Sequence, residues 1–400
     1  MAEAQISSPV PATDYQRLLV IGLVTFHVVV GLSLLLDPGL RGASDAPRFY
    51  GLATHQGIPY VDFKVEYPPL FLLVTTVLAF GSLSALATGV IAFSLICDLA
   101  LAWMLWRSWG ARAGTAYLVL TAPLLHIVLT RLDLLPTILA VFACVLALRP
   151  RRQRVAGTVL ALAVFAKLWP GALVLVWVAR RRWHAVIAFC VTGFVGLAAW
   201  VGVAGIDGVR QVLTYRGAKG WEIESLPGTI LVALTDDHIH NESGAWRIGH
   251  PPDVLTWVWP LAGIAAILAI TVALYRATER RRTSSDAGAP ALAILCVILV
   301  TATLLSPQFL VWLAPWAAIT YADGERRAPA LVLLAIVLTL VAFTAWSTHG
   351  PFSAVESFTP GVQAIYWLRN LCLIAAGVAA VESLWRTGTT PSRPARPVSS

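Results

Sequence analysis

Charge is scarce in this chain. Only 12% of its 400 residues are charged, with three lysines and two methionines. A soluble globular domain carries about 25% charged residues, so that class is excluded, and a mean hydropathy of +0.75 agrees. No CxxC or metal-ligand spacing links Cys97, Cys144, Cys190, Cys296 and Cys372. Each lies in an apolar run, where a thiol reads as a small buried hydrophobe. Asp-x-Asp and a glycine-rich nucleotide loop are both missing, as are heptads and any repeat of fixed period. The net charge of +8 would suit nucleic acid if it were clustered on one soluble face. Here it sits in short loops between apolar runs, so no nucleic-acid partner is expected.

What is present is a series of apolar runs. They predict an all-α polytopic membrane protein of about twelve transmembrane helices. The spans are expected at 17–36, 88–107, 114–129, 135–149, 155–166, 169–179, 184–204, 254–274, 289–305, 308–322, 329–347 and 363–385. The first is too long for a signal-peptide core and reads as an uncleaved span. Arginines cluster at 107/112, 149–154, 180–182, 276–282 and 326/327, and the positive-inside rule places all of these in the cytoplasm. That holds only if 68–80 does not cross, so this run is expected to be a re-entrant or juxtamembrane helix, with Pro68 and Pro69 in its first turn. Residues 155–179 are expected to form a tight hairpin broken at Lys167-Leu-Trp-Pro170. The organisation is then a cytoplasmic tail (1–16), one transmembrane domain (17–385) with outer loops 37–67 and 205–253, and a disordered cytoplasmic tail (386–400). Lys64, Lys167 and Lys219 all fall on the outer side.

Several polar stretches interrupt this pattern. The first outer loop holds "SDAPRFY" and "PYVDFKVEYPPLF", which bring Asp45, Arg48, Tyr50, Asp62, Lys64, Glu66 and Tyr67 close to the surface. A partly desolvated carboxylate there can act as a general base, with its strength set by neighbours such as Arg48 or Lys64; the plain alternative is a solvated loop. Arg131 and Asp133 in "TRLDLLPT" sit at membrane depth, where ionisable groups are suspected of function, or they cap helix ends. Lys167 in "FAKLWPG" is an isolated cation suited to a phosphate, or one that snorkels. Gln308 in "LLSPQFLVWLAPW" follows a hairpin apex. In "YRGAKGWEIESLPG", Trp221 beside Glu222 and Glu224 suits a sugar, with the ring stacking and the carboxylates taking hydroxyls. His238, His240 and His250 are weak evidence for a metal, and none is expected. Asp98, inside a span, needs a polar partner.

Taken in order, an Asp before aromatics in the first loop, "YVDFKVEYPPL", "RLDLLP", "AKLWP" and "SPQFLVWLAP" resemble glycosyltransferase family 87. The resemblance covers residues 15 to 385. It implies a GT-C fold in the plasma membrane and inverting transfer of a hexose, mannose above all. The donor would be a polyprenyl-phosphate sugar and the acceptor a lipid or glycan on the extracytoplasmic face, with no nucleotide, cofactor or metal. By position it makes Asp45 the base, with Asp62 in reserve. It sets Lys167 and Arg131 at the donor phosphate. The substrate wall is then Arg48, Tyr50, Asp62, Lys64, Glu66, Tyr67, Asp133, Trp221, Glu222, Glu224 and Gln308. Gln308 and Phe309 stand where characterised mannosyltransferases carry histidines. The rival reading is a multi-pass transporter or flippase of a lipid-linked or small polar substrate, suggested by Asp98 and the broken helices.

Overall fold

Apolar runs become helices, and prolines, glycines and arginines set where they end. The computed structural model describes residues 14–41, 44–214, 220–242, 245–249, 251, 253–279, 287–347 and 359–385. Lys219, His250 and the C-terminal tail lie outside the described residues. The first helix, α1 (Asp14–Leu36), leads to two short ones, α2 (Ala46–Thr54) and α3 (Pro69–Ala79). The long α4 (Leu83–Trp109) follows, then α5 (Ala111–Thr121), continued by α6 (Leu125–Leu129). Next come α7 (Leu134–Ala147), α8 (Gln153–Ala166), a 3-10 turn at Trp169–Leu173 running into α9 (Val174–Ala179), and α10 (Trp183–Leu213). The second loop contains β1 (Trp221–Glu222), α11 (Leu226–Leu234), β2 (Ile239–Glu242) and β3 (Ala245–Ile248). The chain finishes with α12 (Asp253–Glu279), α13 (Gly288–Thr301), the 3-10 turn Pro307–Trp312 with α14 (Ala314–Ala322), α15 (Arg327–Ser347) and α16 (Pro360–Ser383).

Each expected span has a helical counterpart. Seven of the described helices are long and apolar enough to cross a membrane, and the protein is a multi-pass membrane protein. Outward faces of α1, α10 and α12 expose Ile21, Val29, Phe194, Val203, Trp257 and Val258, as helices bathed in lipid do. Cys190 is on that face of α10, so it is exposed, whereas the other four cysteines are buried. The α3 helix has 11 residues, about 16 Å at 1.5 Å per residue, half of a hydrocarbon core of about 30 Å. It rests on α2, α4 and α8. Three further helices, α7, α8 and α13, have 14 residues each, about 21 Å.

Two chemically distinct ends result. At one, Arg182 donates to the Ala147 carbonyl and Arg181 meets the Tyr275 hydroxyl. The other gathers the first loop, the α6–α7 turn, Lys167 and the 3-10 turn at Pro307–Trp312. Between them, Asp98 finds its partners in α1 and α5. His27 Nδ1 lies 2.6 Å from Asp98 Oδ2, Tyr117 Oη donates to Oδ1 at 2.8 Å, and His27 Nε2 reaches the Leu118 carbonyl at 3.1 Å.

The second loop departs from expectation. α10 runs on to Leu213 after a break at Gly205, whose φ of 65° favours glycine. The loop therefore begins later than residue 205. It also folds into a small antiparallel sheet of order β1-β3-β2, with Trp221 opposite Ile248 and His240 opposite Arg247. Among the described residues, an otherwise all-helical architecture thus carries three short strands. Ser225 caps α11 by accepting the Gly228 N–H at 3.1 Å, a bond of about 1 kcal/mol.

Candidate active site

Asp45 stands at the N-terminus of α2 without capping it. Its Oδ2 accepts a hydrogen bond from Arg131 Nε at 3.0 Å. The α6–α7 turn that presents Arg131 is pinned by Ser94, whose hydroxyl donates to the Arg131 carbonyl at 2.7 Å. Both side chains keep some exposure, 24% for Asp45 and 12% for Arg131. A turn further along α2, Arg48 pairs with the fully buried Glu66 and lies 5.8 Å from the Tyr67 ring centroid. Phe49 anchors this helix edge-on against Tyr67 and Phe71. Tyr50, by contrast, donates to the Gly81 carbonyl at 3.2 Å and holds α2 to the next turn.

The stretch from Gly57 to Tyr67 is held in shape by hydrogen bonds, with Ile58, Val61, Asp62 and Lys64 exposed. Asp62 Oδ2 accepts the Ile58 N–H at 2.6 Å, and Gly57, at φ 108°, leaves room where a Cβ would sit 2.7 Å from that oxygen. Asp62 is thus engaged in the turn. Gln211 of α10 clamps the loop from outside, donating to the Tyr60 carbonyl at 2.8 Å and accepting the Val65 N–H at 3.1 Å. Tyr60 donates to the Tyr67 carbonyl at 2.7 Å. Burial and the nearby Glu66 charge raise its phenol above the ordinary range. Lys64 is exposed, while Val65, Glu66 and Tyr67 turn inward.

Lys167 ends α8 in an extended conformation. Its Nζ donates to Asp133 Oδ1 at 2.6 Å, and Trp312 Nε1 donates to the same oxygen at 2.9 Å. Aromatic rings surround the ammonium. Nζ lies 4.4 Å from the Phe309 centroid and 4.8 Å from that of Trp312, within cation–π range. Trp312 stacks on Phe309 at 4.3 Å and on Trp169 at 5.4 Å.

A cavity of about 430 Å³ opens beside this cluster. Glu66, Tyr67 and Pro68 form one wall, and Lys167, Trp169, Phe309 and Trp312 another. Ile298 and Leu299 of α13, Ala302 and Thr303 just past its end, and Val212 of α10 complete a mostly apolar lining. It lies at the C-terminal ends of α8 and α13. Asp45 and Arg131 are not in its wall; they join it through Arg48, which shares α2 with Asp45 and pairs with Glu66.

The second loop contributes differently from expectation. Trp221 is buried among Ile223, Ile248 and Tyr366 and offers no open stacking face. Glu222 points inward, accepting the Leu305 N–H and, at 3.3 Å, the Ser306 hydroxyl. Burial raises its carboxyl above the ordinary range. Glu224 Oε2 pairs with Arg369 Nη1 at 3.4 Å, and Arg369 is fully buried. Burial, then the Glu222 charge, push Glu224 up to about 8, against Arg369 and Arg131. The Arg131 charge thus reaches both Asp45 and Glu224. Gln308 is buried, and its Oε1 accepts no hydrogen bond among the described residues.

Sequence reasoning missed Trp169, Phe309 and Trp312 as the surroundings of Lys167, although all three lie beside it or in the Ser-Pro motif. It also missed Arg369. A cation inside an apolar run was the signal that could have found it.

The profile of glycosyltransferase family 87 matches residues 66–307, more than half of the chain. This protein belongs to glycosyltransferase family 87. The matched span begins at Glu66 and contains Arg131, Asp133, Lys167, Glu222 and Glu224; Asp45 and Arg48 precede it and Gln308 follows it. Among curated proteins, none matches the chain. Two solved structures of ArnT from Cupriavidus metallidurans are similar to it, each with a TM-score of 0.45. The apo form is 15% identical, covering 93% of this chain and 78% of that one. The form bound to undecaprenyl phosphate is 14% identical, covering 94% and 78%. The family-87 chain is therefore a membrane glycosyltransferase, and the polar end described above is its candidate active site.

Proposed function

We propose that this glycosyltransferase moves a hexose, mannose by family resemblance, from a polyprenyl-phosphate donor to a hydroxyl of a lipid or glycan on the extracytoplasmic face of the plasma membrane. The observation that carries this reading is the cavity. It sets one ammonium, Lys167, and one carboxylate, Glu66, into a wall that is otherwise aromatic and aliphatic but for Thr303. A lipid-linked phosphate needs that combination: a cation for the phosphate and apolar surface for the chain.

In this reading Asp45 is the base. Arg131 holds Oδ2, and Oδ1 has no partner among the described residues. That oxygen takes the acceptor's proton as the acceptor oxygen bonds to the anomeric carbon. The bond from that carbon to phosphate oxygen breaks on the opposite face, and polyprenyl phosphate leaves with the electron pair, giving inversion. Lys167 and Arg131 stabilise the phosphate charge; Glu66, Arg48 and Tyr67 border the sugar. Glu224 and Gln308 supply polar contacts for the acceptor. The arginine-rich end then faces the cytoplasm, together with both termini. Asp98, which invited a transport reading, is saturated by His27 and Tyr117 and offers no open path.

The test is transfer of label from radiolabelled polyprenyl-phosphate mannose into lipid or glycan by membranes containing the protein, with Asp45→Asn as control. Transfer that stops in the variant supports the reading. No transfer from any polyprenyl-phosphate hexose overturns it.

A further inference from the structure

Lys167, Phe309 and Trp312 line the cavity, but Asp133, which touches both Lys167 and Trp312, does not. The carboxylate therefore backs the ammonium from the protein side, with a side-chain exposure of 8%. Two further cations near the cavity are offset in the same way, Arg131 by Asp45 and Arg48 by Glu66. These three cations each face one carboxylate before any ligand arrives. A phosphodiester brings one negative charge, whereas a phosphomonoester brings about 1.5 to 2 at neutral pH. Where screening by water is weak, an uncompensated charge is costly.

We infer that Asp133 sets the charge selectivity of the cavity. By neutralising Lys167 from behind, it lets the cavity hold a monoanionic lipid phosphodiester and disfavours a dianionic lipid phosphomonoester. This rests on the donor reading above, in which the sugar donor is the diester and the released polyprenyl phosphate is the monoester. Asp133 then promotes departure of the spent carrier. It acts as a positioning residue, because it reaches Lys167 and Trp312 and not the reacting atoms.

The experiment compares direct binding of radiolabelled undecaprenyl phosphate and of its methyl phosphodiester to the full chain in nanodiscs. Wild type is expected to bind the diester more tightly. Asp133→Asn keeps an acceptor oxygen for Trp312 and removes the charge; it is expected to tighten the monoester about tenfold relative to the diester. A wild type that prefers the monoester overturns the inference, and that arm does not depend on the variant folding. So does a variant in which both affinities move by the same factor, the mark of a purely structural role. Failure of the donor reading looks different: wild type binds neither lipid, or Lys167→Ala binds both as wild type does.

Discussion

Two polar clusters in this protein use the same chemical parts to opposite ends. His27, Asp98 and Tyr117 are fully buried in mid-bundle. There, every hydrogen-bonding atom faces a protein partner. The two imidazole nitrogens face Asp98 and the Leu118 carbonyl. Nothing is left over for a ligand. At the carboxylate end, Asp45, Arg131, Lys167 and Arg48 are also paired, yet each keeps an exposed fraction of between 12% and 29%, and a cavity adjoins them. Pairing alone does not mark a site; pairing that leaves a face open does.

The largest effect should come from the open cluster. Asp45→Asn is expected to lower turnover by about 10²- to 10⁴-fold while thermal melting in detergent stays near wild type. A melting point that falls with activity would move Asp45 to the structural side of the comparison. Asp98→Ala should show the reverse. Removing one partner of a buried pair costs about 3–5 kcal/mol, so melting should drop steeply, with activity lost only in proportion to the folded fraction. If Asp98→Ala folds normally and is inactive, the division between the two clusters fails.

A third substitution sharpens the open side. Lys167→Ala is expected to raise the donor KM by about 10- to 100-fold, the worth of a charge-assisted hydrogen bond, with a smaller change in kcat. An unchanged KM would remove Lys167 from the phosphate. The smallest effect concerns Glu224. Its carboxyl stands near 8 in the folded chain against an ordinary 4.5, so the folded state retains a proton that the unfolded state releases. That contribution to stability is complete below about 4.5 and is lost as pH rises through about 8. Melting temperature should therefore fall between pH 5 and 8, and Glu224→Gln should flatten the slope.

The spans were legible because a bilayer demands long apolar runs. The run at 68–80, expected as a re-entrant or juxtamembrane helix, is the 11-residue α3. The residues of the cavity wall were named in part, Glu66, Tyr67 and Lys167 among them, but their pairings were not. Asp45 and Arg131 are 86 positions apart, and Asp133 and Lys167 are 34 apart, and no local pattern reports such contacts. The small sheet stayed hidden because strands of two to four residues are too short to show alternation. Trp221 looked like an exposed platform because its neighbours are charged. Those charges turn inward, to Leu305, Ser306 and Arg369, and the ring follows them.

The hydrogen bond from Trp312 to Asp133 joins positions 179 apart, and this has a consequence for biogenesis. At 5–20 residues per second, Trp312 leaves the ribosome about 10 to 35 s after Asp133, a gap set by those 179 positions. Once Lys167 has followed, its pair with Asp133 still has no indole closing over it until Trp312 emerges, and the cavity lacks a wall. On the proposed reading the protein inserts most of its helices before its cavity is complete, and a chain truncated before Trp312 is expected to enter the membrane without transferring sugar.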